Sequence, residues 1–224
     1  MKVAFLCSGG GGNLKLVYEL SRKGALPFVS VVGVIADREC LAVEWARGQD
    51  IRTAVVAYSR TNPVALGDSL TDLAPDLIVT NIHKILHDRL VAMFDGKLLN
   101  LHYSLLPAFA GQIGMQPVRE ARARGCRLIG ASAHRVTRQV DTGPILAQAC
   151  VVDDLDQPET ELCDAVFRCG GVALIAAIET IWSPATQRPG GDMQAGARAI
   201  VAAPLPTAAV RSVFREHSFW VSLR

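Results

Sequence analysis

The chain reads as an α/β fold: a doubly wound, mostly parallel sheet with an antiparallel addition at its edge. Three observations predict it. Through roughly the first hundred residues, short runs rich in Val, Ile and Leu alternate with helical patterns, an alternation that demands right-handed crossovers and a parallel sheet. A run of four glycines at 9–12 follows the first apolar stretch, at the strand-to-helix turn where such sheets receive ligands. Beyond residue 116 two strand-like segments follow one another with no helix between them, the pattern of antiparallel neighbours.

The elements follow in order. Residues 3–7, 29–36, 53–57, 77–81 and 98–102 are apolar enough on both faces to be buried parallel strands. Between them, 13–23, 41–49, 63–73 and 87–94 carry helical spacing. A helix is expected over 116–124, strands over 127–136 and 145–152, and a long helix over 158–181 with Asp156 or Gln157 near its start. These segments make one domain over 1–182. From 183 onward Pro184, Pro189, Gly190, Gly191, Pro204 and Pro206 interrupt the chain, so 183–224 is expected to be a loosely structured tail. Its apolar-aromatic end at 213–223 is expected to dock on the domain or on a partner subunit, covering a substrate cleft or making a homodimer contact.

Composition narrows the class. Half of the residues are hydrophobic and 20% charged, a globular balance with enough apolar material for a core. The net charge of +2 is dispersed without a basic block, which speaks against nucleic acid or an anionic membrane as partner. The N-terminal apolar run meets glycines too early for a signal-peptide core and reads as a first strand. Six cysteines stand at 7, 40, 126, 150, 163 and 169 without a Cys-x-x-Cys pair, so they are expected to be reduced and buried in a cytoplasmic protein. No metal site is expected. Only His83 and His87 stand four apart, and His87 reads as a helix start.

Three motifs can carry chemistry. Ser8-Gly9-Gly10-Gly11-Gly12-Asn13 lets backbone approach a ligand at a helix N-terminus, where free N–H groups and the dipole favour an anion. It is not a Walker loop, because no Gly-Lys-Ser/Thr follows, and Leu14 breaks the dinucleotide fingerprint. Asp37, after the second strand, stands where a ribose-binding acid or a plain turn residue belongs. In Leu98-Leu99-Asn100-Leu101-His102, Asn100 and His102 are two apart on a strand and face the same side. An amide that can donate to an oxyanion thus accompanies an imidazole that can move a proton. In Val140-Asp141-Thr142-Gly143-Pro144 a tight loop presents a carboxylate able to orient that imidazole or to cap its own turn.

Three stretches together resemble the folate-dependent formyltransferase family: Ser-Gly-Gly-Gly-Gly-Asn-Leu at 8–14, Leu-Leu-Asn-Leu-His-Tyr-Ser-Leu-Leu-Pro at 98–107 and Val-Asp-Thr-Gly-Pro-Ile at 140–145. Order and spacing agree to about residue 182. The catalytic domain is similar to that shared by glycinamide ribonucleotide transformylases, formyltetrahydrofolate hydrolases and sugar N-formyltransferases. The resemblance implies the Rossmann-like formyltransferase fold and 10-formyltetrahydrofolate as donor co-substrate, with no metal. It implies that Asn100 and His102 stabilise a tetrahedral intermediate and that Asp141 positions His102 and helps move the proton. The donor's pterin would lie among Lys84, Ile85, Leu86, Val91, Leu98, Val136, Arg138, Gln139 and Val140, with much of the recognition by backbone. Gly10, Gly11, Gly12 and Asn13 would hold the acceptor's anionic group. His134 falls where the family commonly has His and is expected to support the loop beside it, while His83 and His87 are expected at the surface or rim.

The sequence departs from the ribonucleotide enzymes where the acceptor binds. Phe167-Arg168-Cys169-Gly170-Gly171-Val172 carries no acid to grip a ribose, and Gly111-Gln112-Ile113-Gly114-Met115-Gln116-Pro117 replaces a histidine-containing segment. The stretches 105–111 and 127–134 look like the hydrolases, but those begin with a regulatory domain whereas this chain opens on the first catalytic strand, and no tRNA-holding barrel fits the tail. The expectation is an N-formyltransferase for the amine of a small, anionic acceptor. The alternatives are a hydrolase releasing formate and a folate- or nucleotide-binding protein without catalysis.

Overall fold

The computed structural model describes residues 1–153, 156–184, 188–196 and 198–223. The chain folds into two compact units. The first holds Met1–Asn100 with Val136–Arg138 and Leu223, and the second holds Leu101–Arg135 and Gln139–Ser222.

In the first unit the expected alternation is present. Strands β1 (Lys2–Cys7), β2 (Ser30–Ala36), β3 (Thr53–Val55), β4 (Leu77–Asn81) and β5 (Leu98–His102) are separated by helices α1 (Gly12–Arg22), α2 (Leu41–Gly48), α3 (Val64–Leu73) and α4 (Asp88–Met93). The strands lie in the order β3-β2-β1-β4-β5, and each neighbouring pair is parallel. The order reverses between β1 and β4, so the loops leaving these two strands diverge and open a crevice at their carboxyl ends. Cys7 of β1 pairs with Asn81 of β4 there, and Thr80 pairs with Asn100 of β5. The third strand is shorter than its apolar run. After Val55 the Val56 N–H still reaches Ala36 O at 2.8 Å, but Tyr58 N then bonds back to Val56 O and turns the chain inward.

The chain crosses into the second unit within β5. Helix α5 (Gln116–Ala123) precedes β6 (Leu128–Arg135) and β7 (Ile145–Val152), which pair antiparallel as the missing crossover predicts. Helix α6 (Glu159–Trp182) packs on both strands. It is long and apolar enough to cross a membrane by composition, yet 78% of its most apolar window is buried in the protein, as befits a core helix.

The tail differs from the expectation of loose structure. Strands β8 (Gly191–Ala195) and β9 (Arg198–Ala203) form an antiparallel hairpin whose β9 pairs with β7, followed by short helices α7 (Ala208–Phe214) and α8 (His217–Val221). The prolines fall between these elements, Pro204 directly after β9 and Pro206 before α7, so they punctuate structure rather than prevent it. Residues 185–187, 197 and 224 of the tail lie outside the described residues. Charged groups of α6 and the tail tie the two together. Arg188 donates to Ala176 O and Thr180 Oγ1, Glu179 accepts from Thr207 N at 3.0 Å, and Arg168 lies 5.3 Å above the Trp220 ring while donating to Ala195 O. The rings of Phe214, Phe219 and Trp220 pack together, with Trp220 Nε1 on Phe214 O at 2.8 Å.

The cysteines need a partial correction. Cys7 and Cys169 are buried, but Cys40, Cys126, Cys150 and Cys163 are only half-buried; all six are free thiols. Burial pushes the Cys7 thiol up to about 12 and Cys169 higher still, which leaves both inert near neutral pH.

The register of β6 on β7 depends on Gly130, where a Cβ would meet the Ala149 carbonyl and stand 2.8 Å from Cys150 Cα, both main-chain atoms with no freedom to yield. Gly130→Ala is expected to cost about 3 kcal/mol of stability, read as a lowered urea midpoint at unchanged slope.

Candidate functional site

At the carboxyl end of β5, Asn100 and His102 occupy alternate positions and therefore share a face. Within the first unit, Thr80 Oγ1 donates to Asn100 Oδ1 at 3.0 Å. That bond sets which end of the carboxamide faces β4 and turns the Nδ2 end the other way.

Within the second unit His102 is 6% exposed and both ring nitrogens meet acceptors. Nδ1 is 3.3 Å from Asp141 Oδ2, and Nε2 is 3.0 Å from the Phe109 carbonyl. Asp141 has left-handed backbone, φ 56°, on the tight loop the Gly-Pro pair predicted. Its Oδ2 also accepts the Gly111 N–H at 2.8 Å, and its Oδ1 faces His134 Nε2 at 3.5 Å. His134 is buried and its Nδ1 stands 2.9 Å from Arg135 O. One buried carboxylate is thus shared by two imidazoles and a main-chain amide. Burial would raise the Asp141 pKa, but the His134 hydrogen bond, the Gly111 amide and the charges of His102 and His134 outweigh it and hold it below the ordinary value.

The residues before Asp141's partner loop are fixed as well. Ser132 Oγ accepts from Leu106 N and donates to Ser104 O, and Gln148 Nε2 reaches both Ser132 Oγ and Leu106 O. The Ser-Leu-Leu-Pro segment is therefore anchored on β6 and β7 rather than loose.

Of the residues expected around a pterin, Leu86, Val91 and Leu98 are buried in one apolar cluster of the first unit, and Val136 packs against it with its N–H on Leu98 O at 3.1 Å. The others are more exposed or paired elsewhere. Ile85 is half exposed, and Arg138, Gln139 and Val140 are surface residues. Lys84 turns its Nζ to Tyr58 O at 2.6 Å and to Asp37 Oδ2 at 3.3 Å. Asp37 in turn binds Arg38 at 2.7 Å and accepts from Ser8 Oγ at 2.8 Å. Burial opposes its charge, but the hydrogen bonds from Arg38, Ser8 and Lys84 prevail and bring the carboxyl down to about 2. A carboxylate so occupied is a structural hub and not a ribose-binding acid.

The segment 83–87 leaving β4 is held along its length. His83 N donates to Ser8 Oγ, Ile85 O accepts from the Tyr58 hydroxyl, and His87 N donates to it. Among the described residues, the main-chain N–H and C=O of Leu86 make no hydrogen bond. His83 is exposed and His87 half-buried, where it caps α4 by accepting from Arg89 N at 3.0 Å.

The glycine run closes β1 and opens α1. Gly11 is left-handed at φ 74°, where a Cβ would stand 2.8 Å from Ala42 Cβ, whereas a Cβ at Gly9 or Gly10 would meet nothing within 4 Å. Helix α1 begins at Gly12 without a side-chain cap on its N-terminus. Thr80 and Tyr58 were not evident from the sequence. Thr80 has a faint signal as the hydroxyl inside an apolar strand, and Tyr58 has none.

Within the second unit, a buried carboxylate held on an imidazole is an arrangement of the kind enzymes use to orient a base. The chain belongs to the formyl transferase family, whose sequence profile matches residues 1–178. It is 36% identical over 189 residues to a phosphoribosylglycinamide formyltransferase of Mycobacterium tuberculosis, covering 80% of this chain and 85% of that one. To the chloroplastic phosphoribosylglycinamide formyltransferase of Vigna unguiculata it is 33% identical over 158 residues, 67% of this chain but only 51% of the plant protein. The solved glycinamide ribonucleotide transformylase 1 of Symbiobacterium toebii superposes with a TM-score of 0.68 at 30% identity, over 80% of this chain and 88% of that one.

Asp141 tests the electrostatics, because asparagine tolerates the left-handed backbone while removing the charge and one acceptor oxygen. A depressed carboxyl pKa adds stability that is present above the unfolded value of about 4 and is lost as pH falls through the folded value. The stability difference between wild type and Asp141→Asn is therefore expected to be flat from neutral pH to about pH 5 and to shrink below about pH 4. Urea titrations across pH 3–7 measure it.

Proposed function

We propose that the protein transfers a formyl group from 10-formyltetrahydrofolate to the amine of a small, anionic acceptor. The observation that carries this reading is the buried Asp141 on His102, on the strand that also bears Asn100. The acceptor nitrogen attacks the formyl carbon and the carbonyl oxygen takes up the negative charge. The Nδ2 end of Asn100 and a ring N–H of His102 donate to that oxygen. Asp141 holds Nδ1, so the ring nitrogen available to the substrate is Nε2. Nε2 now faces the Phe109 carbonyl, a neutral acceptor that the more strongly accepting oxyanion would displace. The intermediate collapses by breaking the bond from carbon to N10, and the proton lost by the acceptor amine goes to N10, giving tetrahydrofolate and the N-formyl product.

Other features support the two substrates. The N–H and C=O of Leu86, without hydrogen-bond partners among the described residues, belong to a residue buried in one cluster with Val91 and Leu98, which suits a ligand with a hydrogen-bonding edge and an apolar face such as a pterin. The uncapped start of α1 behind three small residues suits an anionic group on the acceptor. On α6, Arg168 is spent on Asp164 and Ala195 O, and a Cβ at Gly170 would stand 2.6 Å from Tyr103 Cε1, so the stretch 167–172 offers neither a free acid nor a free guanidinium to an acceptor's hydroxyls.

Purified protein incubated with 10-formyltetrahydrofolate is expected to form tetrahydrofolate only when an amine is added. The panel includes phosphoribosylglycinamide and phosphorylated amino sugars. Asn100→Ala is expected to lower kcat by about 10²- to 10³-fold through loss of an oxyanion donor. His102→Ala is expected to lower it by at least about 10²-fold. Formate release at full rate without any amine would replace transfer by hydrolysis, and no binding of tetrahydrofolate at all would overturn the reading.

A further inference from the structure

We infer that Tyr58 is a positioning residue for the formyl donor, its phenol holding the segment 83–87 so that the Leu86 main chain is presented to the pterin. The inference rests on the donor site proposed above and adds to it a residue that lies behind the site rather than in it. Tyr58 is 2% exposed and belongs to the same apolar cluster as Leu86, Val91 and Leu98. Its hydroxyl donates to Ile85 O at 3.0 Å and accepts from His87 N at 2.8 Å, the two main-chain groups that flank Leu86. Its own carbonyl accepts Lys84 Nζ at 2.6 Å. One buried residue therefore grips three of the five residues in the segment, while Ser8 takes the fourth through His83 N. The residue left over is Leu86, whose N–H and C=O have no hydrogen-bond partner among the described residues although its side chain is buried.

A structural tyrosine would satisfy one stray main-chain group and leave the segment otherwise bonded to itself. Here the phenol takes the groups on either side of one residue and spares that residue. The His87 N–H lies at the start of α4, outside the helical hydrogen-bond ladder, and the Tyr58 hydroxyl supplies its partner. A ligand that pairs with both Leu86 groups needs them at a fixed separation and depth, and preorganisation of this kind lowers the ordering cost of binding. The chemistry recognised is a planar heterocycle with an adjacent donor and acceptor on one edge, as in the aminopyrimidinone ring of the folate.

Tyr58→Phe keeps the ring in the core and removes only the hydroxyl. It is expected to weaken tetrahydrofolate binding about tenfold by titration calorimetry, the loss of roughly one hydrogen bond's worth of ordering. The KM for 10-formyltetrahydrofolate should rise in parallel, with kcat and the KM for the acceptor amine within about twofold. Lys84→Met cuts the ties to the Tyr58 carbonyl and to Asp37 from an exposed position and leaves the apolar cluster intact, so it is expected to shift the same Kd in the same direction by a smaller factor. A purely structural Tyr58 would lower the thermal midpoint of Tyr58→Phe while the tetrahydrofolate Kd stays at the wild-type value, and that result overturns the inference. Should the wild-type protein fail to bind tetrahydrofolate, the donor site itself falls before any variant is compared.

Discussion

Asp141 is buried with a negative charge, and the arrangement around it follows from what a buried carboxylate requires. Removing it from water is costly unless every lone pair finds a donor. The protein supplies three: His102, His134 and the Gly111 amide. Each imposes a constraint elsewhere. His102 must end β5 facing the loop, His134 must lie near the end of β6 with its other nitrogen on a carbonyl, and the chain at 109–111 must turn back far enough to bring an amide to the carboxylate. The left-handed backbone at Asp141 and Phe109 is the geometric consequence. A site of this kind is rigid because its charge would otherwise be unpaired.

The first unit applies the same logic with a different outcome. Asp37 is also buried and ionised, but its donors are Ser8, Arg38 and Lys84, and through them it joins the end of β1, the end of β2 and the segment after β4. The cluster braces the crevice between β1 and β4. Two carboxylates of similar burial thus differ in their partners: Asp141 is held by two imidazoles and a main-chain amide, Asp37 by a hydroxyl, a guanidinium and an ammonium group. Tyr58 extends the brace by joining the turn after β3 to the same segment.

Much of this was legible in the residues. The parallel half of the sheet followed from apolar runs alternating with helical spacing, because a strand buried on both faces has no polar side to show. Asn100 and His102 were legible because a period of two places them on one face, and Asp141 because its Gly-Pro loop can hold a carboxylate aloft. The tail was not legible. Four prolines in forty residues resemble a broken chain, yet each lies between elements, and the pairing of β9 on β7 supplies the hydrogen bonds that local sequence could not. The surface position of Arg138, Gln139 and Val140 and the half-exposure of Ile85 were equally out of reach, since burial depends on what packs above a residue and not on its type.

The division between the two levels has a physical basis. Periodicity and turn chemistry act over a few residues, so the order of elements, the strand that carries the amide and the imidazole, and the glycine turn before α1 were all determined locally. Partnership acts across the chain. The Asp141 carboxylate lies thirty-nine positions from His102 and seven from His134, and the Tyr58 hydroxyl reaches twenty-seven and twenty-nine positions to Ile85 and His87. Which donors meet a buried acceptor is settled when the strands come into register and exclude water, because only then does an unpaired polar group become costly enough to select one arrangement.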